Sequence, residues 1–252
     1  MQKLLILLTS LVSLLGFTAN AKPIALLGAM DVEIEGLLPK IENRKTHQLA
    51  ANTYYTGTIN GKEVVVARSG VGKVNAAVTT HTLITQFNVE KIIFTGIAGA
   101  ASSELNVADV VVSSDLIQHD VDLTVFGAPK GLLDGYDDRA FKTDKALQAL
   151  AIDAARKVVG ADKAHIGTVV TGDQFIADKA KVAEMQQEFD AMAVEMEGAA
   201  VAQVADMYKV PLVVIRTISD KADGSAHLSY EEAKQATAHN SVAIVLEMLQ
   251  SL

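Results

Sequence analysis

The chain has 252 residues, half of them apolar, with four prolines, no cysteine and a formal net charge of −8. That size and composition suit one large domain with a core on both faces of a sheet, and the lack of cysteine excludes a disulfide framework. The acidic balance argues against a nucleic-acid partner, which needs clustered Lys and Arg against phosphate, and Lys179, Lys181 and Lys221 read as scattered solvated groups.

Residues 1–21 carry Lys3, an apolar stretch over 4–15 and a small-x-small ending at Ala19-Asn20-Ala21, the pattern of a cleaved secretory leader. The apolar stretch is interrupted by Thr9, Ser10 and Ser13 and is short for the roughly 20 residues of a membrane span. The expectation is a mature chain over 22–252, one further unit negative, periplasmic and without stable membrane association.

The elements then follow in order. Residues 24–27 form an apolar strand that runs into Gly28-Ala29-Met30, and Asp31, Glu33 and Glu35 open a helix, acids being favoured in a first turn. Strands at 54–59 and 63–68 flank Asn60-Gly61, the strongest hairpin signal in the chain. A glycine-rich link at 69–75 leads into a helix over 76–87, followed by strands at 92–95 and 110–116. A helix over 145–159, a strand at 165–170, a helix over 193–206, a strand at 212–218 and a C-terminal helix over 231–249 complete the series. Val- and Ile-rich strands alternating with helices predict a three-layer α/β fold: a central, mixed, twisted sheet with helices on both faces.

Ligand sites in such folds lie at the carboxyl ends of strands. Gly28-Ala29-Met30, Arg68-Ser69-Gly70, Thr95-Gly96-Ile97-Ala98, Gly172-Asp173-Gln174-Phe175 and Ser219-Asp220 all fall there. Ser69-Gly70-Val71-Gly72-Lys73 lacks the spacing of a phosphate-binding loop, and Gly28-Ala29-Met30 lacks the third glycine of a dinucleotide site, so tight turns explain these glycines better. Glu33 reads equally as a helix-terminal charge or a functional acid, and Asp220 reads as a turn cap or as the third acid of a site. Glu195 and Glu197 fall on one side of an extended segment, which favours a shared polar pocket. A carboxylate in a cleft grips vicinal hydroxyls, and one raised in pKa by burial exchanges protons with a leaving group or water. Phe175 reads as core or as a ring that stacks on a planar ligand. His119, Asp120 and Asp122 lack companion ligands at metal-binding spacing, so no metal is expected.

In this order and spacing the motifs resemble those of the bacterial methylthioadenosine/S-adenosylhomocysteine nucleosidases of the purine nucleoside phosphorylase superfamily. The resemblance runs over 22–252, through residues 24–30 with Glu33, 70–75, 95–99, 119–127, 171–176, 194–199 and 216–220. It implies a nucleoside phosphorylase-like fold, no cofactor, a homodimer, and hydrolysis of the N-glycosidic bond of a 5′-substituted adenosine. By that resemblance Glu33 activates water, Glu197 holds the ribose hydroxyls and Asp220 protonates adenine N7. Phe175 stacks on adenine, Ile176 and nearby backbone read its edge, Met196 packs under the ribose, Glu195 supports the site, and Ser219 is among the substrate-binding residues. Met30, with Leu123 and Phe126 from a second copy, lines the pocket for the 5′-alkylthio group. Ile97 departs from the pattern, standing where some relatives carry serine. Two other readings stay open: a phosphorylase, with Arg68 serving phosphate, and a nucleoside-binding module without turnover.

Overall fold

The computed structural model describes residues 21–222 and 226–252; all but the last residue of the leader expected at 1–21 lie outside the described residues. In chain order the strands are β1 (Ile24–Gly28), β2 (Glu42–Leu49), β3 (Asn52–Ile59), β4 (Lys62–Arg68), β5 (Lys91–Ala100), β6 (Val110–Gln118), β7 (Ala140–Lys142), β8 (Ala164–Thr171), β9 (Ala191–Glu195) and β10 (Leu212–Asp220). The α-helices are α1 (Asp31–Ile34), α2 (Lys73–Phe87), α3 (Lys145–Val159), α4 (Lys179–Phe189), α5 (Gly198–Met207) and α6 (Ala226–Ser251).

The strands form one mixed sheet in the order β10-β6-β8-β9-β5-β1-β4-β3-β2, with β7 beside β6. A further pairing of β10 with β5 closes β5, β10, β6, β8 and β9 into a ring. β1 shows how sequence produces the layers. Its residues are all buried, and because side chains alternate across a strand, Ala25 and Leu27 enter one core while Ile24 and Leu26 enter the other. The first core is roofed by α2 and α5 through Ala76, Leu83 and Ala199–Ala205; the second by α1, α3 and α6 through Ile34, Ala151, Val245 and Met248. A strand covered on both faces has no polar side to present, which is why these strands read as unbroken apolar runs. The three-layer α/β expectation therefore holds.

At the hairpin, Asn60 and Gly61 both take positive φ, 51° and 73°, the left-handed pair that a two-residue turn between twisted strands requires. Some expected boundaries move. The helix placed at 193–206 begins only at Gly198: residues 191–195 form β9, which pairs parallel with β8 and antiparallel with the end of β5. The small residues of this run suit a helix, but sheet pairing overrides that local preference. The ladder also carries β5 through Gly96–Gly99, past the expected end at residue 95. Among the described residues no helix is long and apolar enough to cross a membrane.

Candidate active site

The strand exits converge on a cavity of about 230 Å³ lined by Met30, Glu33, Ile97, Phe175, Glu195, Met196, Glu197, Ser219 and Asp220, with Ala29, Val71, Ala98, Gly99, Val194 and Tyr230. Glu33 arrives from the short helix after β1, Ile97 from β5, Glu195 to Glu197 from the β9-to-α5 turn, and Ser219-Asp220 from the end of β10. Glu33, Glu195, Glu197 and Asp220 are all at most 6% exposed. Burying four carboxylates together is unfavourable unless each has donors, and each has.

Glu33 Oε2 accepts from the Ala29 and Met30 amides at 2.6 and 2.9 Å, and Oε1 from the Ile97 amide at 2.9 Å. Burial nevertheless raises its pKa, against the opposing pull of Arg216 and those amides. Asp220 Oδ1 accepts from the Ala222 amide at 2.8 Å, and the Ser219 hydroxyl lies 2.8 Å from Oδ2 and 3.2 Å from the Ala98 carbonyl oxygen, either of which it serves. Glu197 Oε1 accepts from the Gly72 amide at 3.0 Å. Burial, then the neighbouring Glu195, pushes Glu197 up to about 8, with Arg216 pulling the other way.

Glu195 is bonded to the protein through both carboxylate oxygens. Its Oε2 accepts from the Glu197 and Gly198 amides at 3.0 and 2.7 Å and from Arg216 Nη2 at 2.5 Å, and its Oε1 accepts from the Thr171 hydroxyl. Thr171 Oγ1 in turn accepts from the Ala199 amide at 2.8 Å. With both oxygens held by the protein, Glu195 fixes the first turn of α5 and the place of Glu197.

Arg216 and Tyr230 are site residues that the sequence reading passed over. Arg216 is 1% exposed, stacks 4.2 Å over the Phe94 ring, binds Glu195, and stands 3.9 Å from Glu197 Oε2. The signal was present, since an arginine inside an apolar central strand requires a buried partner. Strand register adds a constraint: Gly96 faces Arg216, and a β-carbon there would lie 2.2 Å from Arg216 Nη1 and 2.6 Å from Glu33 Oε1. Tyr230, at the start of α6, donates to Met30 Sδ at 3.1 Å and meets Phe175 edge to face with ring centroids 5.7 Å apart. Nothing in its local pattern marks it.

Other expectations fall elsewhere. The Ile176 side chain packs with Met185 and Phe189 rather than lining the cavity. Leu123 and Phe126 are also absent from this cavity, and Phe126 is 83% exposed. Arg68 pairs with Asp31 at 3.2 Å in a separate surface depression and is not among the residues that line the cavity. The glycine-rich link has no open amide cradle at its helix: the Gly72 amide donates to Glu197 and the Lys73 amide to Asp173 at 2.8 Å. Asp120 is tied to Lys73 Nζ at 2.6 Å and to the Asp173 amide at 3.1 Å, so it joins three loops around the site. Lys221 donates to the Leu105 carbonyl oxygen rather than being simply solvated.

An acid-lined cavity at the strand ends of a three-layer α/β fold, with an aromatic wall, defines a protein for a hydroxylated ligand bearing a planar ring. The phosphorylase superfamily model matches residues 23–250. The 5′-methylthioadenosine/S-adenosylhomocysteine nucleosidase of Bacillus subtilis is 40% identical over 230 residues, covering 91% of this chain and 99% of that one. The aminodeoxyfutalosine nucleosidase of Campylobacter jejuni is 39% identical over 229 residues, with 91% and 99% covered. The structure of the Neisseria meningitidis 5′-methylthioadenosine/S-adenosylhomocysteine nucleosidase with methylthio-immucillin-A superposes with a TM-score of 0.88 at 40% identity, covering 92% of this chain and all of that one. The chain belongs to the phosphorylase superfamily and, within it, to the family of bacterial methylthioadenosine/S-adenosylhomocysteine nucleosidases.

Proposed function

We propose that the chain hydrolyses the N-glycosidic bond of 5′-methylthioadenosine, S-adenosylhomocysteine and related 5′-substituted adenosines, releasing adenine. The observation that carries this reading is the meeting of Glu33, Glu197 and Asp220 in one cavity with Phe175 on its wall. Breaking the C1′–N9 bond leaves positive charge on the sugar and an electron pair on the purine. Asp220 then gives a proton to N7, and Glu33 takes one from the attacking water. Glu197 holds the 2′ and 3′ hydroxyls, and fixed carboxylates favour the developing sugar cation more than the ground state. Phe175 stacks on the base, Met196 supports the ribose, and Met30 and Tyr230 face the 5′ substituent.

Leu123 and Phe126 complete the 5′ end from a second copy in a homodimer. The exposed apolar side chains of Val74, Val125 and Phe126 favour that assembly. Residues 1–21 act as an export leader ahead of a single nucleosidase domain at 22–252, giving a periplasmic protein. Incubation with methylthioadenosine, with and without phosphate, tests the reaction. Adenine with free methylthioribose supports it, whereas the sugar 1-phosphate, or binding without turnover, refutes it. Light scattering of wild type against Phe126→Asp tests the dimer, and N-terminal sequencing of periplasmic protein tests the leader.

A further inference from the structure

His119 and Asp120 follow directly on β6 and do not line the cavity, yet they are built into the strand exits around it. The His119 amide donates to the Thr171 carbonyl oxygen at 2.9 Å, and its buried ring lies against Gly172, where a β-carbon would fall 2.4 Å from Nε2. That contact sets Asp120 beside the link that follows β8. Asp120 Oδ1 accepts from Lys73 Nζ at 2.6 Å, Asp120 Oδ2 from the Asp173 amide at 3.1 Å, and Asp173 Oδ1 from the Lys73 amide at 2.8 Å. These bonds close a ring through residues 73, 120 and 173, which lie on separate segments of the chain. The Lys73 and Asp120 side chains are 19% and 25% exposed, so the pair is shielded from much of the solvent that weakens surface ion pairs.

Two members of the ring stand next to groups that face the ligand. Gly72, immediately before Lys73, donates its amide to Glu197 Oε1 at 3.0 Å, and Phe175 follows Asp173 in the same link. Gly72 has φ of 96°, and α2 starts there without a side-chain cap, so the direction of this amide is fixed through the Lys73 bonds.

We propose that Asp120 is a positioning residue for the glycosidic reaction: by closing the ring it fixes Glu197 and Phe175 relative to each other, so that ribose and base are held in one orientation across the bond that breaks. The inference rests on the hydrolytic reading above and gives Asp120 and Lys73 a part in it. With the ring open, the Gly72 end and the Phe175 end shift separately. A free base follows the Phe175 link wherever it settles, but a nucleoside, whose base and sugar are joined, fits only one setting of the two. The ring therefore acts on the intact nucleoside and hardly at all on adenine alone.

Asp120→Asn, Lys73→Met, the double variant and Lys73→Arg are compared with wild type well below the thermal midpoint of each. Titration measures affinity for adenine and for a methylthioadenosine analogue whose base and sugar are joined by a carbon–carbon bond, and steady-state adenine release gives kcat/KM. For a misplacement on the order of 1 Å, kcat/KM falls about 10–100-fold and analogue affinity about tenfold or more in Asp120→Asn and in Lys73→Met, while adenine affinity changes by less than about threefold. The double variant loses no more than the worse single one, because either change opens the same ring. Lys73→Arg keeps the ion pair and regains most of the affinity that Lys73→Met loses. Where Asp120→Asn does not fold, the Lys73 variants carry the same comparison. Analogue affinity within about twofold of wild type in folded Asp120→Asn or Lys73→Met, equal losses for adenine and the analogue, or losses that multiply in the double variant overturn the proposal. A wild type that binds the analogue but releases no adenine fails the hydrolytic reading instead, and the affinity comparison still decides whether the ring holds base and sugar together.

Discussion

Gly96→Ala is the smallest change that strikes the centre of this site. The added β-carbon would sit 2.2 Å from Arg216 Nη1 and 2.6 Å from Glu33 Oε1, about 1 Å or more inside van der Waals contact. Neither neighbour has room to withdraw. Arg216 Nη2 is 2.5 Å from Glu195 and its guanidinium lies 4.2 Å over Phe94, while Glu33 is held by three amides. Overpacking of this kind costs about 1–3 kcal/mol, and breaking the buried Arg216–Glu195 pair instead costs about 3–5 kcal/mol. At roughly 2–4 °C per kcal/mol for a chain of this size, the melting midpoint falls by about 2–12 °C in the first case and about 6–20 °C in the second. A displacement of Glu33 by about 1 Å lowers kcat/KM on the order of 100-fold even where the variant is fully folded. The assay is adenine release from methylthioadenosine, run well below the variant's midpoint, beside urea unfolding. Gly61→Ala is the control, because Gly61 has φ of 73° but nothing within 4 Å of an added β-carbon; it loses about 1 kcal/mol of stability and no activity. A Gly96→Ala protein with wild-type kcat/KM refutes the geometry of the Arg216–Glu33 pair.

Asp220→Asn lowers kcat about 10²–10⁴-fold with little change in KM, as removal of a proton donor should, whereas Glu197→Gln weakens analogue binding as well as turnover, by about 10–100-fold in kcat/KM. Steady-state kinetics with direct titration of a nucleoside analogue distinguishes the two. Glu197 also ties stability to pH: its pKa is raised from 4.5 to about 8 in the fold, so the folded chain retains a proton that the unfolded chain releases. Its contribution is fully present below pH 4.5 and is lost as pH rises through about 8. Urea unfolding between those limits therefore shows wild-type stability falling relative to Glu197→Gln by up to about 1.4 kcal/mol per pH unit, and parallel profiles contradict it. Thr171→Val leaves Glu195 Oε1 and the Ala199 amide without their partner, at about 2–5 kcal/mol, while Thr171→Ser keeps both bonds and near-normal stability.

The parts of this site legible in the sequence are those governed by chain topology. Strand exits in an alternating α/β chain gather at one rim, so Met30, Ile97, Glu197 and Asp220 could be brought together before any contact was known. What escaped notice depends on distant partners. β2 is polar and largely exposed, with no apolar alternation, and exists because it pairs with β3. α4 shows the same lack of a clear apolar face, with only Met185 and Phe189 buried. The break between β9 and α5 is set by pairing with β5 and β8, against a local sequence that suits a helix on both sides. Tyr230 reaches Met30 from 200 residues away in the chain.

The charge pattern of the cavity also limits which acids can work together. Among the described residues Arg216 is the cation of the buried charged side chains, and it is committed to Glu195 at 2.5 Å while standing 3.9 Å from Glu197. Glu195 is further bonded to two amides and Thr171, and Glu197, raised first by its own burial and then by the neighbouring Glu195, retains its proton to about pH 8. A protonated Glu197 both donates to and accepts from a vicinal diol, so at neutral pH it binds the ribose without adding a full charge to an already acidic cavity. As positive charge grows on the sugar, release of the Glu197 proton to solvent becomes more favourable, and the stabilising effect of the carboxylate increases along the reaction. The amide introduced by Glu197→Gln reproduces the neutral form and its hydrogen bonds but not the ionised one. The loss of turnover in this variant should therefore exceed its loss of ground-state affinity, and an equal loss of both would show that the ionised form takes no part.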